Sequence, residues 1–341
     1  MATVYFKALE RGFSVDATAL EFRLFGHDFQ VQWYGVLIAF GFLLAVLFGG
    51  RMAYKWKMNL DKMIDVLIGG TIGGVVGARL YFVVLHWDLY KDAPFDVFKV
   101  WEGGLAIYGG LIGGLLAAFI VCRVRKLDFL KLLDLAAMSF LIGQGIGRWG
   151  NFTNQEAFGV NTNLPWGMWS EKTAQYIAAH QLEFAARGIE AIPGSIGAKA
   201  YVHPTFLYES LWCLLSFVII YLVCRHAHKF SGQLMLCYGV LYGTERFFVE
   251  GLRLDSLYLG GSNVRASQLL SALLVVGCLA ALVILLLRQK KRPKLPIETL
   301  ETPTELSEEE ALTENAAPEE DVLEENAAVL PQEAIVPEGQ E

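Results

Sequence analysis

Seven apolar stretches, each long enough to cross a lipid bilayer, constrain this chain more than any other feature of its sequence. They lie near residues 33–52, 62–86, 103–122, 129–149, 204–224, 232–250 and 266–287. A membrane-spanning helix needs about 20 mostly apolar residues. Within a bilayer the backbone must satisfy its own hydrogen bonds, which a helix does. The sequence therefore predicts an all-α membrane protein with about seven transmembrane helices.

Basic residues between these stretches predict how the helices are oriented. Clusters of Lys and Arg follow the first, third, fifth and seventh stretches, at positions 51–62, 123–131, 225–229 and 288–294. Such clusters mark the cytoplasmic side of a membrane protein. We therefore expect the N-terminus outside and the C-terminus inside.

This orientation divides the chain into five segments. We predict an external N-terminal segment at 1–30, helices one to four at 31–150, an external arm or cap at 151–203, and helices five to seven at 204–290. The arm should contain a helix near 171–187, with Ser170 as its cap and Gly188 at its end. The cytoplasmic tail at 291–341 is acidic, with 15 acidic and no basic residues from position 298 onward, and its composition predicts disorder.

Two arginines lie inside stretches that are otherwise apolar. At 1.5 Å per residue, Arg148 stands about 28 Å along the fourth helix from Phe129, and Arg246 about 21 Å along the sixth from Gly232. Both are therefore expected in the outer half of the bilayer. A charge at the bilayer centre costs about 2.5–3.5 kcal/mol on insertion scales, so two such residues require an explanation.

Other polar side chains are expected near the two arginines. Tyr242, Arg246 and Glu250 are spaced four residues apart and share one helix face. Further polar residues are Tyr34 at the start of the first stretch, Tyr108 in the third, His203 before the fifth, and Asn151, Asn154 and Glu156 just after Arg148.

Two interpretations of this polar group remain open. The first is an internal ion-pair network, such as Arg246 with Glu250 or Glu245, that only holds helices together. The second is an anion site at the outer leaflet, because the guanidinium fork of Arg donates two parallel hydrogen bonds to a phosphate.

Sequence motifs exclude several enzyme classes. The chain has no HExxH, no Walker loop, no GxSxG and no acidic metal cluster, which argues against a metalloprotease, an ATPase or a hydrolase. The five cysteines lie in or beside apolar stretches without metal-ligand spacing. We predict neither a metal nor a cofactor.

One motif is specific enough to suggest a family. The run from Gly147 to Gly159, GRWGNFTNQEAFG, resembles the signature G-R-x-G-N-F-x-N-x-E-x-x-G of the bacterial phosphatidylglycerol–prolipoprotein diacylglyceryl transferases. Supporting matches are WYG at 33–35, GGLAIYGG at 103–110, HPTFLYE at 203–209 and the run at 242–250. Together they cover roughly residues 30–285, in the order found in the family.

The resemblance implies a reaction and a location. A member of this family transfers diacylglycerol from phosphatidylglycerol to the lipobox cysteine of a prolipoprotein, releases glycerol-1-phosphate, and so begins bacterial lipoprotein maturation. The partners would be phosphatidylglycerol, the prolipoprotein signal peptide and membrane lipids, with no nucleic acid. The enzyme would span the bacterial cell membrane several times, with its active site toward the outer leaflet.

The resemblance also implies roles for the polar residues. Arg148 and Arg246 would bind the phosphate during catalysis. The residues expected to bind phosphatidylglycerol or to orient the arginines are Asn151, Glu156, Tyr34, Tyr242 and Glu250.

The proton acceptor for the substrate thiol is not decided by the resemblance. Many family members have His at the position of Tyr108, and a phenol with a pKa near 10 is a poor base at neutral pH. Tyr108 and His203 are therefore catalytic candidates, together with Glu156.

Two other function classes can be weighed against a transferase. A transporter with the same arginines would be favoured by inverted repeats, and none is evident between 33–149 and 204–287. A structural scaffold would use the arginines only for folding.

Overall fold

The chain is described here from a computed structural model, which covers residues 2–9, 11–24, 27–194, 199–256, 258 and 264–289. The predicted acidic tail at 291–341 lies outside these described residues. Nine α-helices occur within them: α1 Trp33–Lys55, α2 Leu60–Leu85, α3 Ile107–Arg125, α4 Phe129–Asn154, α5 Glu171–Ala179, α6 Gln181–Ala186, α7 Thr205–His226, α8 Gln233–Leu252 and α9 Ala266–Gln289.

Six of these helices are long and apolar enough to cross a membrane: α1, α2, α3, α4, α7 and α9. The prediction of a mostly helical membrane protein is therefore confirmed. The helix α8 has 20 residues but contains Glu245, Arg246 and Glu250, and it is not among the six. The count of seven and the orientation stay predictions.

Two helix boundaries differ from the expected ones. The third stretch was expected to be helical from residue 103, but α3 begins at Ile107. Gly103 and Gly104 have φ values of 91° and 67°, which right-handed helices do not contain. The helix α4 continues beyond residue 150 to Asn154, so that Arg148 and Asn151 lie on the same helix.

The N-terminal segment forms strands that the sequence analysis did not predict. Across the residues that the structure describes there are five strands, four of them in this segment: β1 Ala2–Phe6, β2 Gly12–Val15, β3 Thr18–Leu24, β4 His27–Gln32 and, further along the chain, β5 Met168–Ser170. One antiparallel sheet has the order β2-β1-β5, and β3 and β4 form a separate hairpin. The fold is therefore not purely helical. Strand β5 has only three residues and pairs with a strand far away in sequence, which leaves little local signal.

The segment between α4 and α7 packs on the same sheet. Its predicted helix at 171–187 is present as α5 and α6, which are separated at His180. Ser170 caps α5 as expected, in a capping box with Thr173. A buried cluster joins this segment to β1, the start of α7 and the second residue after α8, through Val4, Phe158, Ile177, Val202, Phe206 and Leu254.

Two groups of helices pack in different ways. A buried core between α1, α4, α7 and α8 contains Met52, Met138, Leu141, Ile220, Leu234 and Tyr238. The helices α2 and α3 instead approach each other through glycines. A Cβ added at Gly77 would lie 2.8 Å from the Cα of Gly113, so only glycine allows this approach.

An aspartate fixes the start of α8. The N-cap residue of α8 is Gly232, which has no side chain. The buried carboxylate of Asp134 on α4 accepts hydrogen bonds from the backbone N–H of Gly232 at 2.7 Å and of Met235 at 3.0 Å. A carboxylate at a helix N-terminus is favoured by the helix dipole as well. Because Arg246 lies on α8, Asp134 helps to set its position.

Candidate active site

Arg148 and Arg246 meet at one buried carboxylate, that of Glu209 on α7. The Nη1 atom of Arg148 lies 3.2 Å from one oxygen of Glu209, and the Nη1 atom of Arg246 lies 3.7 Å from the other. The side chain of Glu209 is 1% exposed. Three helices, α4, α7 and α8, therefore each contribute one charged group to the same point.

A second carboxylate orients Arg246. The Nη2 atom of Arg246 lies 2.6 Å from Glu250, one helical turn further along α8. The sequence predicted Glu250 or Glu245 as a partner of Arg246, and the Glu250 pair is confirmed. The structure adds Glu209, for which the sequence analysis suggested no role. Its signal was available, because it is a carboxylate inside the fifth apolar stretch and belongs to the motif at 203–209.

The two guanidinium groups keep hydrogen-bonding capacity. Neither oxygen of Glu209 accepts a well-aligned hydrogen bond from any described residue, although both oxygens lie close to an arginine. The side chains of Arg148 and Arg246 are 23% and 20% exposed. Since a guanidinium has five N–H donors, several remain for an anion that enters from the open side.

Three predicted substrate-binding residues lie around the end of α4. The Asn151 amide donates a hydrogen bond of 3.0 Å to the exposed carboxylate of Glu156. The Tyr34 ring packs on Gly150, where a Cβ would lie 2.6 Å from Cδ2 of the ring. Gly150, two residues after Arg148, therefore leaves the space that the Tyr34 ring occupies. Asn154 contributes its backbone carbonyl, which accepts a hydrogen bond from Lys172.

Tyr242 lies one turn before Arg246 on α8. Its ring stacks on that of Tyr238, with 5.5 Å between the ring centroids. The Tyr238 hydroxyl in turn accepts a hydrogen bond of 2.8 Å from the Gln144 amide. Arg148, Arg246 and Glu209 all act electrostatically on Tyr242, so it belongs to the same group.

Tyr108 and His203 occupy different surroundings. Tyr108 lies in the first turn of α3 and is 49% exposed. Its hydroxyl makes no hydrogen bond to any residue in the described ranges, and its ring makes no cation–π contact with Arg148 or Arg246 there. The sequence-based expectation of a base at this position therefore receives no support from its contacts.

His203 lies just before α7 and is held by hydrogen bonds. Its Nδ1 atom is 3.0 Å from the Tyr208 hydroxyl oxygen, which also accepts a hydrogen bond of 2.8 Å from Trp166. Burial lowers the pKa of His203 from its usual 6.5. The ring is therefore neutral at neutral pH. Its one ring proton either lies on Nδ1 and is donated to the Tyr208 oxygen, or lies on Nε2 while Tyr208 donates its own proton to Nδ1.

Comparisons with known proteins agree on one family. The family model described as prolipoprotein diacylglyceryl transferase matches residues 22–284. Three similar curated proteins carry the name phosphatidylglycerol–prolipoprotein diacylglyceryl transferase. The one from Finegoldia magna is 39% identical over 272 residues, which are 80% of this chain and 95% of the relative. The one from Listeria innocua is 43% identical over 247 residues, 72% of this chain and 83% of the relative.

The third relative, from Thermotoga maritima, is 39% identical over 275 residues, 80% of this chain and 86% of the relative. The match to the family model covers the described helices α1 to α8 and most of α9. It also includes Arg148, Glu209 and Arg246, which the fold brings together. The chain therefore belongs to the prolipoprotein diacylglyceryl transferase family.

Proposed function

We propose that this chain transfers the diacylglyceryl group of phosphatidylglycerol to the thiol of the lipobox cysteine of a prolipoprotein. The thiol loses its proton, its sulfur forms a bond to the glyceryl carbon, and the bond from that carbon to the phosphate oxygen breaks. Glycerol-1-phosphate leaves with the electron pair. This is the first step of lipoprotein maturation, and the relatives carry the same activity in their names.

The observation that carries the proposal is the pair of arginines at Glu209. Negative charge develops on the phosphate as the carbon–oxygen bond breaks, and preorganised donors stabilise such charge most strongly. Arg148 and Arg246 bind this phosphate through the N–H groups that the protein leaves unused. Glu209 and Glu250 act as positioning residues that hold the two guanidinium groups at the required separation.

The remaining polar residues bind the lipid headgroup. Asn151 and Glu156 present an amide and a carboxylate beside Arg148, and both suit the hydroxyl groups of glycerol. Tyr34 and Tyr242 offer phenol groups on the neighbouring helices α1 and α8. Asn151 and Glu156 lie in the family signature at 147–159, and Tyr34 and Tyr242 lie in the supporting matches at 33–35 and 242–250.

The thiol proton goes to one of three residues, Tyr108, His203 or Glu156. A phenol is a poor base at neutral pH, which disfavours Tyr108. His203 is neutral, and when its Nδ1–H donates to the Tyr208 oxygen, Nε2 is left as an acceptor without a hydrogen-bond partner among the described residues. Because a neutral imidazole accepts a proton readily, His203 is the strongest of the three.

The membrane arrangement is part of the same proposal. The helix α8 is a seventh span, because its 20 residues extend about 30 Å and it packs against α4, α7 and α9. Its charges then face other helices rather than lipid, as expected for charges in a membrane. The N-terminus lies outside the bacterial cell membrane, and the arm predicted at 151–203 covers the outer ends of the helices. The arginines then open toward the outer leaflet.

Transfer can be tested with the purified protein in liposomes. Labelled phosphatidylglycerol and a synthetic lipobox peptide are supplied without metal or nucleotide, and mass spectrometry follows thioether-linked diacylglycerol on the peptide. A peptide with serine in place of the lipobox cysteine is the matched control. Absence of the thioether product from a folded preparation would contradict the proposal.

A further inference from the structure

The arginine cluster contains more carboxyl groups than guanidinium groups. Arg148 and Arg246 are accompanied by Glu209, Glu250 and Glu245, whose exposures are 1%, 1% and 5%. Arg253 lies nearby but is already paired, because its Nε and Nη2 atoms donate hydrogen bonds of 2.9 and 2.7 Å to Asp255. With all three glutamates ionised, the cluster would have a net charge of −1 before any substrate binds.

A negative cluster would oppose the proposed substrate. A phosphodiester is itself an anion, and like charges in a poorly solvated site repel strongly. A buried carboxylate without a partner is also costly, and such groups usually become neutral instead. One of the three carboxyl groups should therefore carry a proton in the resting protein.

Pairing distances identify which carboxyl group this is. Glu209 lies between both arginines, and Glu250 lies 2.6 Å from Arg246. Glu245 has no basic group within 4.0 Å among the described residues, and its buried Oε1 atom has no hydrogen-bond partner there. It nevertheless belongs to the cluster, since Glu209, Arg148 and Arg246 all act on it electrostatically.

We propose that Glu245 carries a proton in the resting enzyme and that this neutral carboxyl group allows the arginine cluster to accept an anionic phosphodiester. The identity of that phosphodiester rests on the function proposed above, but the protonation of Glu245 does not. Glu245 is thus a positioning residue, which affects substrate binding through the net charge of the arginine cluster. It contacts neither the reacting thiol nor the glyceryl carbon in this proposal.

The surroundings of Glu245 support the neutral form. The titratable groups that act on it from α4, α7 and α8 are Arg148, Glu209, Cys213, Tyr238, Tyr242 and Arg246. The helix α9 also packs against α8. Between Ala266 and Leu287 its only titratable side chain is that of Cys278. The two positive charges in this set are already balanced by Glu209 and Glu250.

The proposal predicts how substrate binding depends on pH. Removing the proton from Glu245 at alkaline pH adds a negative charge beside the phosphate site, so the KM for phosphatidylglycerol should rise. Glu245→Gln keeps the shape of the side chain but cannot ionise. The alkaline rise of KM should therefore be absent in this variant.

Infrared spectroscopy tests the protonation directly, without any transferase activity. The carbonyl stretch of a protonated carboxyl group should be present in the wild-type protein at neutral pH and should disappear as the pH is raised. It should be missing in Glu245→Gln and present in Glu250→Gln. Absence of the band in the wild type, or its persistence in Glu245→Gln, would overturn the proposal.

The two measurements separate the possible failures. A preparation with the band but without transfer would leave the protonation intact and contradict only the proposed function. An alkaline KM rise of equal size in the wild type and Glu245→Gln would refute the link to substrate binding. So would a constant wild-type KM across the range in which the band titrates. Glu245→Met, which removes the carboxyl group at similar volume, serves if the Gln variant does not fold.

Discussion

The C-terminal end of α2 and the junction of α4, α7 and α8 both contain arginine side chains that are wholly or partly buried, but the groups around these arginines differ. Arg79 on α2 is 6% exposed. Its five N–H groups donate hydrogen bonds of 2.6–3.2 Å to five backbone carbonyl groups, those of Asp96, Val97, Lys99, Gly103 and Gly104. The ring of Tyr90 lies 5.2 Å from the guanidinium carbon.

Arg148 and Arg246 are placed against carboxylates instead of carbonyl groups. Their contacts to Glu209 are close in distance, but they are not aligned as hydrogen bonds. A guanidinium that has used all five donors cannot bind a further ligand. The difference therefore separates an arginine that holds a loop in place from arginines that can still bind a phosphate.

The largest expected effect concerns Arg148. Arg148→Ala should lower the transfer rate by about 100-fold or more, since it removes donors aimed at developing charge. Arg148→Lys keeps the positive charge without the planar fork, so its transfer rate should lie between those of the wild type and Arg148→Ala. Transfer to the lipobox peptide is measured, with thermal unfolding as the control for folding. A rate within tenfold of the wild type for a folded Arg148→Ala would show that this arginine does not bind the phosphate.

Arg79 should affect stability rather than substrate binding. Arg79→Met leaves buried carbonyl groups without donors and should lower the free energy of unfolding by about 1–3 kcal/mol. The KM for phosphatidylglycerol of the folded fraction should stay at the wild-type value. Thermal unfolding in detergent and steady-state kinetics measure the two quantities. A raised KM at unchanged stability would remove the distinction between the two kinds of arginine.

Asp134 is the acidic counterpart of Arg79, because two backbone N–H groups bind it, together with the ring of His228. Asp134→Ala removes the acceptor of two N–H groups at the start of α8 and should cost about 1–3 kcal/mol of stability. Asp134→Asn, which keeps one oxygen acceptor, should cost less. The exposed Asp61 in the first turn of α2 provides the control Asp61→Asn. Equal melting temperatures for Asp134→Ala and this control would contradict the assigned role.

Tyr108 should have a smaller effect, because its hydroxyl has no partner in the described part of the chain. If the phenol only hydrogen-bonds the substrate, Tyr108→Phe should lose the contribution of one hydrogen bond, about 0.5–1.5 kcal/mol, or roughly tenfold in rate at most. Single-turnover transfer rates of the two proteins measure this. A loss comparable to that of Arg148→Ala would instead identify Tyr108 as essential to the chemistry.

The smallest expected effect is the pH dependence that comes from His203. Its pKa is lowered in the folded protein by burial, so the unfolded chain takes up a proton more readily. The contribution of His203 to the free energy of unfolding is therefore fully present above its usual pKa of 6.5. It decreases as the pH falls below that value. Melting temperatures of the wild type and His203→Gln across mildly acidic pH test this. A wild-type decrease that is no larger than that of His203→Gln would contradict it.

The sequence identified two of the three arginines in this comparison, Arg148 and Arg246, as unusual, but not Arg79. The positions of Arg148 and Arg246 inside apolar stretches identified both as unusual, and their shared dependence on Glu209 then followed from the fold. Arg79 carries the same signal, because it stands about 28 Å along α2 from Leu60, yet the sequence analysis did not single it out. What separates the three arginines is the set of atoms around each, which composition cannot show.

The sequence by itself determined where the helices lie and how several of them begin. Apolar stretches of about 20 residues must form helices in a bilayer, and this requirement is local. Helix caps are local too: the side chains of Asn59, Asp128 and Ser170 accept hydrogen bonds from backbone N–H groups two or three residues later. The thirteen-residue signature at 147–159 indicated the family in the same local way.

Only the tertiary structure decided which charges meet. Glu209 reaches Arg148 and Arg246 because α4, α7 and α8 pack together, and the five carbonyl groups around Arg79 come from the loop between α2 and α3. The pairing of β5 with β1 is equally non-local. Ion pairs and sheet pairing depend on distances of a few ångströms between residues far apart in the chain. Such distances arise from packing rather than from the local sequence.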